Sequence, residues 1–262
     1  MKKILALVLA LALIAAVGCA SAATKLVVGA SSTPHAEILD AAKPLLEEKG
    51  IELEIVIFDD YVQPNLQLES KDLDANYFQH IPYLESFNAD NGTHLVSAGA
   101  VHYEPMGIYT NQSKLYTIDT IPDGAVIAVP NDPTNEARAL ELLQAQGLIK
   151  LDVAAGEKAT ALDIAENPKK IEVKEFEAAA VPRMLADVDL AVINSNYALQ
   201  AGVDVVGTAI GTESPDVAYP NIVAIREGDD REELKTLVEV LQSDAIVEFI
   251  KSTYGTSVVP TK

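Results

Sequence analysis

A chain of 262 residues, 49% hydrophobic and 22% charged, can fold as one large α/β domain or as two lobes of about 100 residues each. Removing residues 1–23 takes away two lysines and no acid, leaving 17 basic against 39 acidic residues and a net charge of −22. That surface excludes nucleic acid, whose phosphates demand Lys/Arg patches, and it is repelled by anionic lipid, so any membrane tether has to be covalent.

Residues 1–23 read as an export signal. Lys2 and Lys3 form a positive start, Ile4 to Val17 is an unbroken apolar run of 14 residues, and small residues follow from Gly18 to Ala22. Fourteen residues are too few for a membrane-spanning helix, which needs roughly 20. Cys19 is the only cysteine, so no intrachain disulfide is available. Ala16-Val17-Gly18-Cys19 resembles a bacterial lipobox, in which the cysteine is lipidated; cleavage after Ala20-Ser21-Ala22 would instead release the chain.

Beyond the signal, strands and helices alternate, which predicts α/β architecture. Lys25–Ala30 reads as a buried strand, and Ser31-Ser32-Thr33-Pro34 as the start of a helix carrying Ile38, Ala41, Ala42, Leu45 and Leu46 on one face. Pro44 inside that helix is expected to kink it. Ile51 to Phe58 alternates and then becomes wholly apolar, a strand entering a core. Asp59 to Phe87 is polar and aromatic, and reads as two short helices around a loop. Leu95–Ala100, Gly107–Thr110, Ala125–Val129, Ile171–Phe176, Leu190–Ile193 and Ile222–Ile225 are the further strands. Helices are expected at 135–146, 180–185, 231–242 and 245–252. Gly107–Tyr109 and Ala209–Tyr219, rich in Gly, Pro and Thr, read as the two connections between lobes. The expected division is therefore 24–108 plus 213–262 for a discontinuous first lobe and 109–212 for the second, with a ligand site in the cleft between them.

Several polar residues stand where packing does not ask for them. Asp74 to His80 has no clean helical or strand period and reads either as a capped loop or as a site; Phe78 and His80, two apart, share a face if the segment is extended. Asn131-Asp132-Pro133-Thr134-Asn135 lies between a buried strand and a helix, the place where open α/β sheets bind ligands. Arg138, one turn into that helix, offers a fork that matches a carboxylate. It reads equally as a solvated surface arginine or as the ion-pair partner of Glu136 or Glu141. Asn194 and Asn221 are strand-end amides, ordinary turn residues on position alone. No G-x-S-x-G, H-E-x-x-H, P-loop or G-x-G-x-x-G is present, and His35, His80, His94 and His102 lack metal-ligand spacing, so neither catalysis nor a cofactor is expected.

At these segments the chain resembles the NlpA family of lipoproteins, the methionine-binding components of ABC importers. The matching stretches are Phe58-Asp59-Asp60-Tyr61 with Pro64-Asn65, Leu73-Asp74-Ala75-Asn76, Phe78-Gln79-His80, Pro82-Tyr83-Leu84, Val129 to Asn135 with Arg138, Gly147 to Leu151, Asn167-Pro168, Ala191 to Asn194, and Asn221. The resemblance implies a two-lobed periplasmic-binding-protein fold with methionine, or a close relative such as a methionine dipeptide, in the cleft. It implies that Arg138 holds the ligand carboxylate, that Asn194 and Asn221 bond its α-amino and carboxylate groups, and that Tyr61, Phe78 and His80 line the pocket, with Tyr77 and Tyr103 where the family varies. It further implies a lipid anchor at Cys19, a membrane permease and its ATPase as partners, and a place outside the cytoplasm. Another small amino acid or organic anion as ligand, and a surface adhesin with a vestigial cleft, are the alternative readings. Lys71 stands where the family usually has glycine, so a left-handed turn there would carry about 1 kcal/mol of strain.

Overall fold

The structure is a computed structural model describing residues 23–111, 113–154, 157–203, 207–214 and 219–262; the export signal and Cys19 lie outside the described residues. β1 (Thr24–Ser31) is the expected buried strand. The helix after it starts later than expected. Thr33 is extended (φ −131°, ψ 134°) and the Thr33–Pro34 bond is cis, so α1 spans Glu37–Glu47 after an irregular turn at 32–36. The residue before a proline is pushed out of the helical region, which is why Pro34 does not open the helix. α1 continues through Pro44; the carbonyl that loses its partner belongs to Asp40, which is exposed to water.

β2 (Ile51–Phe58), α2 (Gln63–Glu69), β3 (Ala75–His80), α3 (Ile81–Asn91) and β4 (Leu95–Tyr103) follow. The second half of the chain carries β5 (Gly107–Thr110), β6 (Val126–Pro130), α4 (Pro133–Ala145), β7 (Lys150–Leu151), β8 (Ile164–Glu166), β9 (Glu172–Phe176), α5 (Val181–Met184), β10 (Leu190–Ile193) and α6 (Ser195–Gln200). It closes with β11 (Ala209–Thr212), β12 (Pro220–Arg226), α7 (Glu232–Leu241), α8 (Asp244–Tyr254) and β13 (Val259–Pro260).

Two main sheets hold most of these strands, and β7 and β8 form a separate pair. One has the order β13-β4-β12-β3-β1-β2 and the other β11-β5-β10-β6-β9. Leu26, Val28 and Tyr77 of the first sheet pack against Ile38, Leu39, Leu237 and Ile250 of the surrounding helices. Ile127, Val129 and Val192 of the second pack against Leu140 and Leu143. The segments expected to be connections are partly sheet. β5 pairs antiparallel with β10 and with β11, because their apolar residues complete the second core. The chain therefore crosses between sheets at 104–106 and again between β11 and β12.

The segment expected as a loop, 75–80, is a central strand with all six residues buried. A strand covered on both faces loses the alternation that reveals one. Its polar members are satisfied by amides: Asn65 Nδ2 donates to Gln79 Oε1 (2.9 Å), while Asn76 Nδ2 and Gln79 Nε2 donate to Asn65 Oδ1 (2.8 and 2.7 Å). Opposite it on β12 the register slips between Ile222 and Val223, so that Asn221 faces His80 and Val223 faces Tyr77. Such a bulge re-aims side chains. Phe78, Gln79 and His80 all reach the cleft, and Tyr77 turns into the core behind it.

Candidate functional site

The cleft between the sheets contains a cavity with about 340 Å³ of space not filled by protein atoms, its open mouth included. The first lobe supplies Tyr61, Phe78, Gln79, His80, Tyr83 and Asn221, and the second Asn135, Arg138, Asn194, Ser195 and Asn196; Glu104 enters from the crossing segment. Aromatic rings form one wall: Tyr61 lies 5.6 Å from Phe78 and 4.9 Å from Tyr197, centroid to centroid.

Bonds across the cleft hold the lobes closed. The Tyr61 hydroxyl donates to Asn196 Oδ1 (2.6 Å), His80 Nε2 meets Asn135 Oδ1 (3.2 Å), and the Tyr197 hydroxyl donates to the Asp59 carbonyl (3.2 Å).

The polar side chains are oriented by a chain of partners. Asp132 caps α4 by accepting from the Asn135 N–H (3.0 Å), and its carboxylate also accepts from Asn135 Nδ2 (2.9 Å to each oxygen). Asn135 Oδ1 must then face the cleft, where Asn194 Nδ2 donates to it (2.9 Å). His80 Nδ1 accepts from the Tyr83 N–H (3.2 Å), so its proton sits on Nε2 and donates to that same Oδ1. Burial holds this imidazole neutral, lowering its pKa to about 3, and the nearby Arg138 charge acts in the same direction. Asn194 stands at the N-cap of α6 yet makes no capping bond; its side chain is spent on Asn135. Two buried amide atoms in the cavity wall have no partner among the described residues, the acceptor Asn194 Oδ1 and the donor Asn196 Nδ2. Unmet groups of opposite polarity in one cavity suit a ligand carrying both a cation and an anion.

Arg138 is 5% exposed and reaches the cavity, but its fork is already engaged. Nε and Nη2 donate to the two oxygens of Glu213 (2.5 Å each), and Nη2 also to the Glu104 carbonyl (2.8 Å). The Tyr219 ring covers the guanidinium at 4.8 Å. A bidentate grip on a ligand carboxylate by that edge is thus replaced by a resident carboxylate, leaving Nη1 outside these bonds. Neither Glu136 nor Glu141 is the ion-pair partner, since Glu136 accepts from the Ala161 N–H instead. Glu213 also accepts from the Met106 N–H (2.7 Å), and its own N–H donates to the Met106 carbonyl (3.0 Å), so Arg138 is fastened to both crossing segments at once.

Of the residues singled out in the sequence, Tyr61, Phe78, His80, Arg138, Asn194 and Asn221 converge on the cavity. Tyr77 and Tyr103 do not. Tyr77 is fully buried on the opposite face of β3, and Tyr103 ends β4 where it pairs with Pro220 and Val259. Sequence reasoning missed Glu104, Asn196, Tyr219 and Glu213. Asn196 lies two residues past Asn194 and Glu104 beside the first crossing, but Asn196 is placed by Tyr61, 135 residues away, and Glu104 by the distant His35 as well as by its neighbour His102. Among the described residues, no helix is long and apolar enough to cross a membrane.

Two lobes closed over a small polar and aromatic cavity, with the chain crossing twice between them, define a cleft-type substrate-binding protein. The model of the NlpA lipoprotein family matches residues 26–262, and the chain belongs to that family. It is 43% identical over 249 residues to the methionine-binding lipoprotein MetQ of Bacillus subtilis, covering 93% of this chain and 90% of that one. Among solved structures it is similar to a nutrient-binding protein from Burkholderia cenocepacia bound to methionine, with 45% identity, a TM-score of 0.87, and coverage of 90% of this chain and 100% of that one. It is also similar to an ABC transporter periplasmic substrate-binding protein from Coxiella burnetii, with 41% identity, a TM-score of 0.85, and coverage of 90% and 100%.

Proposed function

We propose that the chain is the extracytoplasmic binding component of an ABC importer, which captures methionine by lobe closure and delivers it to a membrane permease coupled to an ATPase. Cys19 is its lipid anchor. The observation that carries the reading is the pair of opposed unmet amide atoms, Asn194 Oδ1 and Asn196 Nδ2, beside the Arg138 guanidinium in an aromatic-walled cavity. Arg138 Nη1 and Asn196 Nδ2 face the ligand carboxylate, and Asn194 Oδ1 its ammonium. Arg138, held by Glu213, acts as a fixed positive pole, with Nη1 as the atom offered to the ligand. A buried zwitterion needs both ends paired, which this set supplies. The thioether packs on Tyr61 and Phe78, each sulfur–aromatic contact contributing about 0.3–1.5 kcal/mol. The names of the family's relatives point to the same ligand and the same transport role.

Calorimetric titration of ligand-stripped protein against L-methionine, D-methionine and Gly-Met tests this directly. Saturable heat with at least one is expected, and the panel ranks stereochemistry and length. Silence with all three at tens of micromolar protein overturns the assignment.

A further inference from the structure

Glu104 is 5% exposed, in the first crossing segment, and is one of the residues that line the cavity. One carboxylate oxygen meets His102 Nε2 at 2.8 Å and His35 Nε2 at 3.4 Å. Behind it, the Tyr77 hydroxyl makes a short hydrogen bond to His102 Nδ1, and His35 Nε2 also bonds Asn221 Oδ1 (3.0 Å). The acceptors place the protons. Asn221 Oδ1 and the Glu104 carboxylate can only accept, so both histidines carry hydrogen on Nε2, and Tyr77 donates to His102.

His35, His102 and Glu104 bring ligand atoms within 4.8 Å of one another, which by itself resembles a metal set. The proton pattern argues against it. Each Nε2 that would coordinate is a donor with an acceptor already in place, and only the His35 Nδ1 acceptor of the three side chains is buried without a partner among the described residues. Burial keeps both imidazoles neutral, lowering His102 to about 3 and His35 to about 4. Arg138, the nearby cation, spends its fork on Glu213 and touches only the backbone carbonyl of Glu104. Glu104 therefore holds a buried carboxylate with neutral donors alone (His102, His35 and the Asn196 N–H), and burial raises its pKa. His80, the one histidine among the lining residues, is neutral and committed to Asn135.

Resting on the amino-acid reading above, we infer that Glu104 selects for a protonated amine: its carboxylate takes the α-ammonium of the ligand, and Tyr77 and His102 position it from behind. The ammonium is the missing cation. Tyr77 thus acts on the ligand through two contacts, without reaching the cavity.

A four-arm binding cycle tests this, pairing wild-type and Glu104→Gln proteins with L-methionine and with 4-(methylthio)butanoate, the same molecule without its amine. Glu104→Gln is expected to weaken methionine about 10- to 100-fold, as for a lost charged hydrogen bond, while the des-amino analogue changes less than about threefold. Equal losses for both ligands, or none, overturn the inference. Wild-type protein that binds neither ligand refutes the amino-acid reading itself, a different result. Should Glu104→Gln fail to fold, wild type and Tyr77→Phe decide. Wild type is expected to favour methionine over the analogue at least about 10-fold, and Tyr77→Phe to lose about 3- to 10-fold for methionine alone. A wild-type gap below about threefold, or a Tyr77→Phe loss shared by both ligands, overturns it.

Discussion

Arg138 and Glu213 are both nearly buried, with side-chain exposures of 6% and 8%. Arg138→Ala leaves the Glu213 carboxylate in that environment without its cation. Breaking one side of a buried pair costs about 3–5 kcal/mol, and loss of the contact with the Tyr219 face adds about 0.5–2 kcal/mol. For a chain of this size each kcal/mol moves Tm by about 2–4 °C, so a loss on the order of 10 °C is expected. The double variant Arg138→Met, Glu213→Leu removes both charges and should recover most of that loss, because the penalty comes from the orphaned carboxylate. The chain has no tryptophan, so urea unfolding followed by far-UV circular dichroism is the suitable assay. Methionine binding should be lost in both variants, which separates the arginine's part in the site from its part in stability. A single-variant cost below about 1 kcal/mol would refute the reasoning, since it is the size expected of a solvent-screened pair.

Asn135→Ala removes the acceptor shared by Asn194 and His80, and titration should show methionine binding about 10- to 100-fold weaker with a stability cost of about 1–3 kcal/mol. Lys71 has φ 74°, a left-handed turn. Lys71→Gly relieves about 1–2 kcal/mol of strain against about 0.4–1 kcal/mol of added unfolded-state entropy, so a Tm raised by a few degrees is expected and a lowered one contradicts the strain. His35, His80 and His102 are buried with pKa values lowered to about 4, 3 and 3. As pH falls below about 6.5 the unfolded chain takes up these protons first, so stability present above that pH is lost at up to about 4 kcal/mol per pH unit toward pH 4. The raised pKa of Glu104 works in the opposite sense, only nearer the carboxylate range. A Tm that stays flat between pH 7 and 5 would contradict the buried, neutral histidines.

How much of this was legible in the sequence depended on whether one residue's neighbours revealed its environment. β1, β6 and β10 are apolar runs with turn residues at their ends, and their reading needs no partner. β3 was hidden because Asn76 and Gln79 are polar at buried positions, and Asn65 and the Pro64 carbonyl, more than ten residues away, help to make them tolerable. β13, two residues long, exists by pairing with Tyr103 and His102 and carries no local signal. The site divides the same way. Asn135 and Arg138 follow a strand and a helix cap, so their place at the mouth of a cleft could be argued from order alone. That Arg138 meets Glu213, 75 residues on, could not.

The separation also ties one arginine to both crossings, beside the part proposed for it in binding. Arg138 rises from α4 in the second lobe, while Glu213 and the Glu104 carbonyl belong to the two crossing segments. A guanidinium pinned to both crossings cannot shift without straining them, so its position is fixed by the crossing segments. If Arg138 meets the ligand anion as proposed, that recognition is coupled to the angle between lobes through one rigid fork. Lysine, with a single point charge on a flexible stem, could supply the charge but not that coupling. Arg138→Lys should therefore weaken binding and broaden the distribution of lobe angles, the second effect visible by small-angle scattering of the ligand-free protein. A variant as compact as wild type would show that the crossings, not the arginine, set the closed geometry.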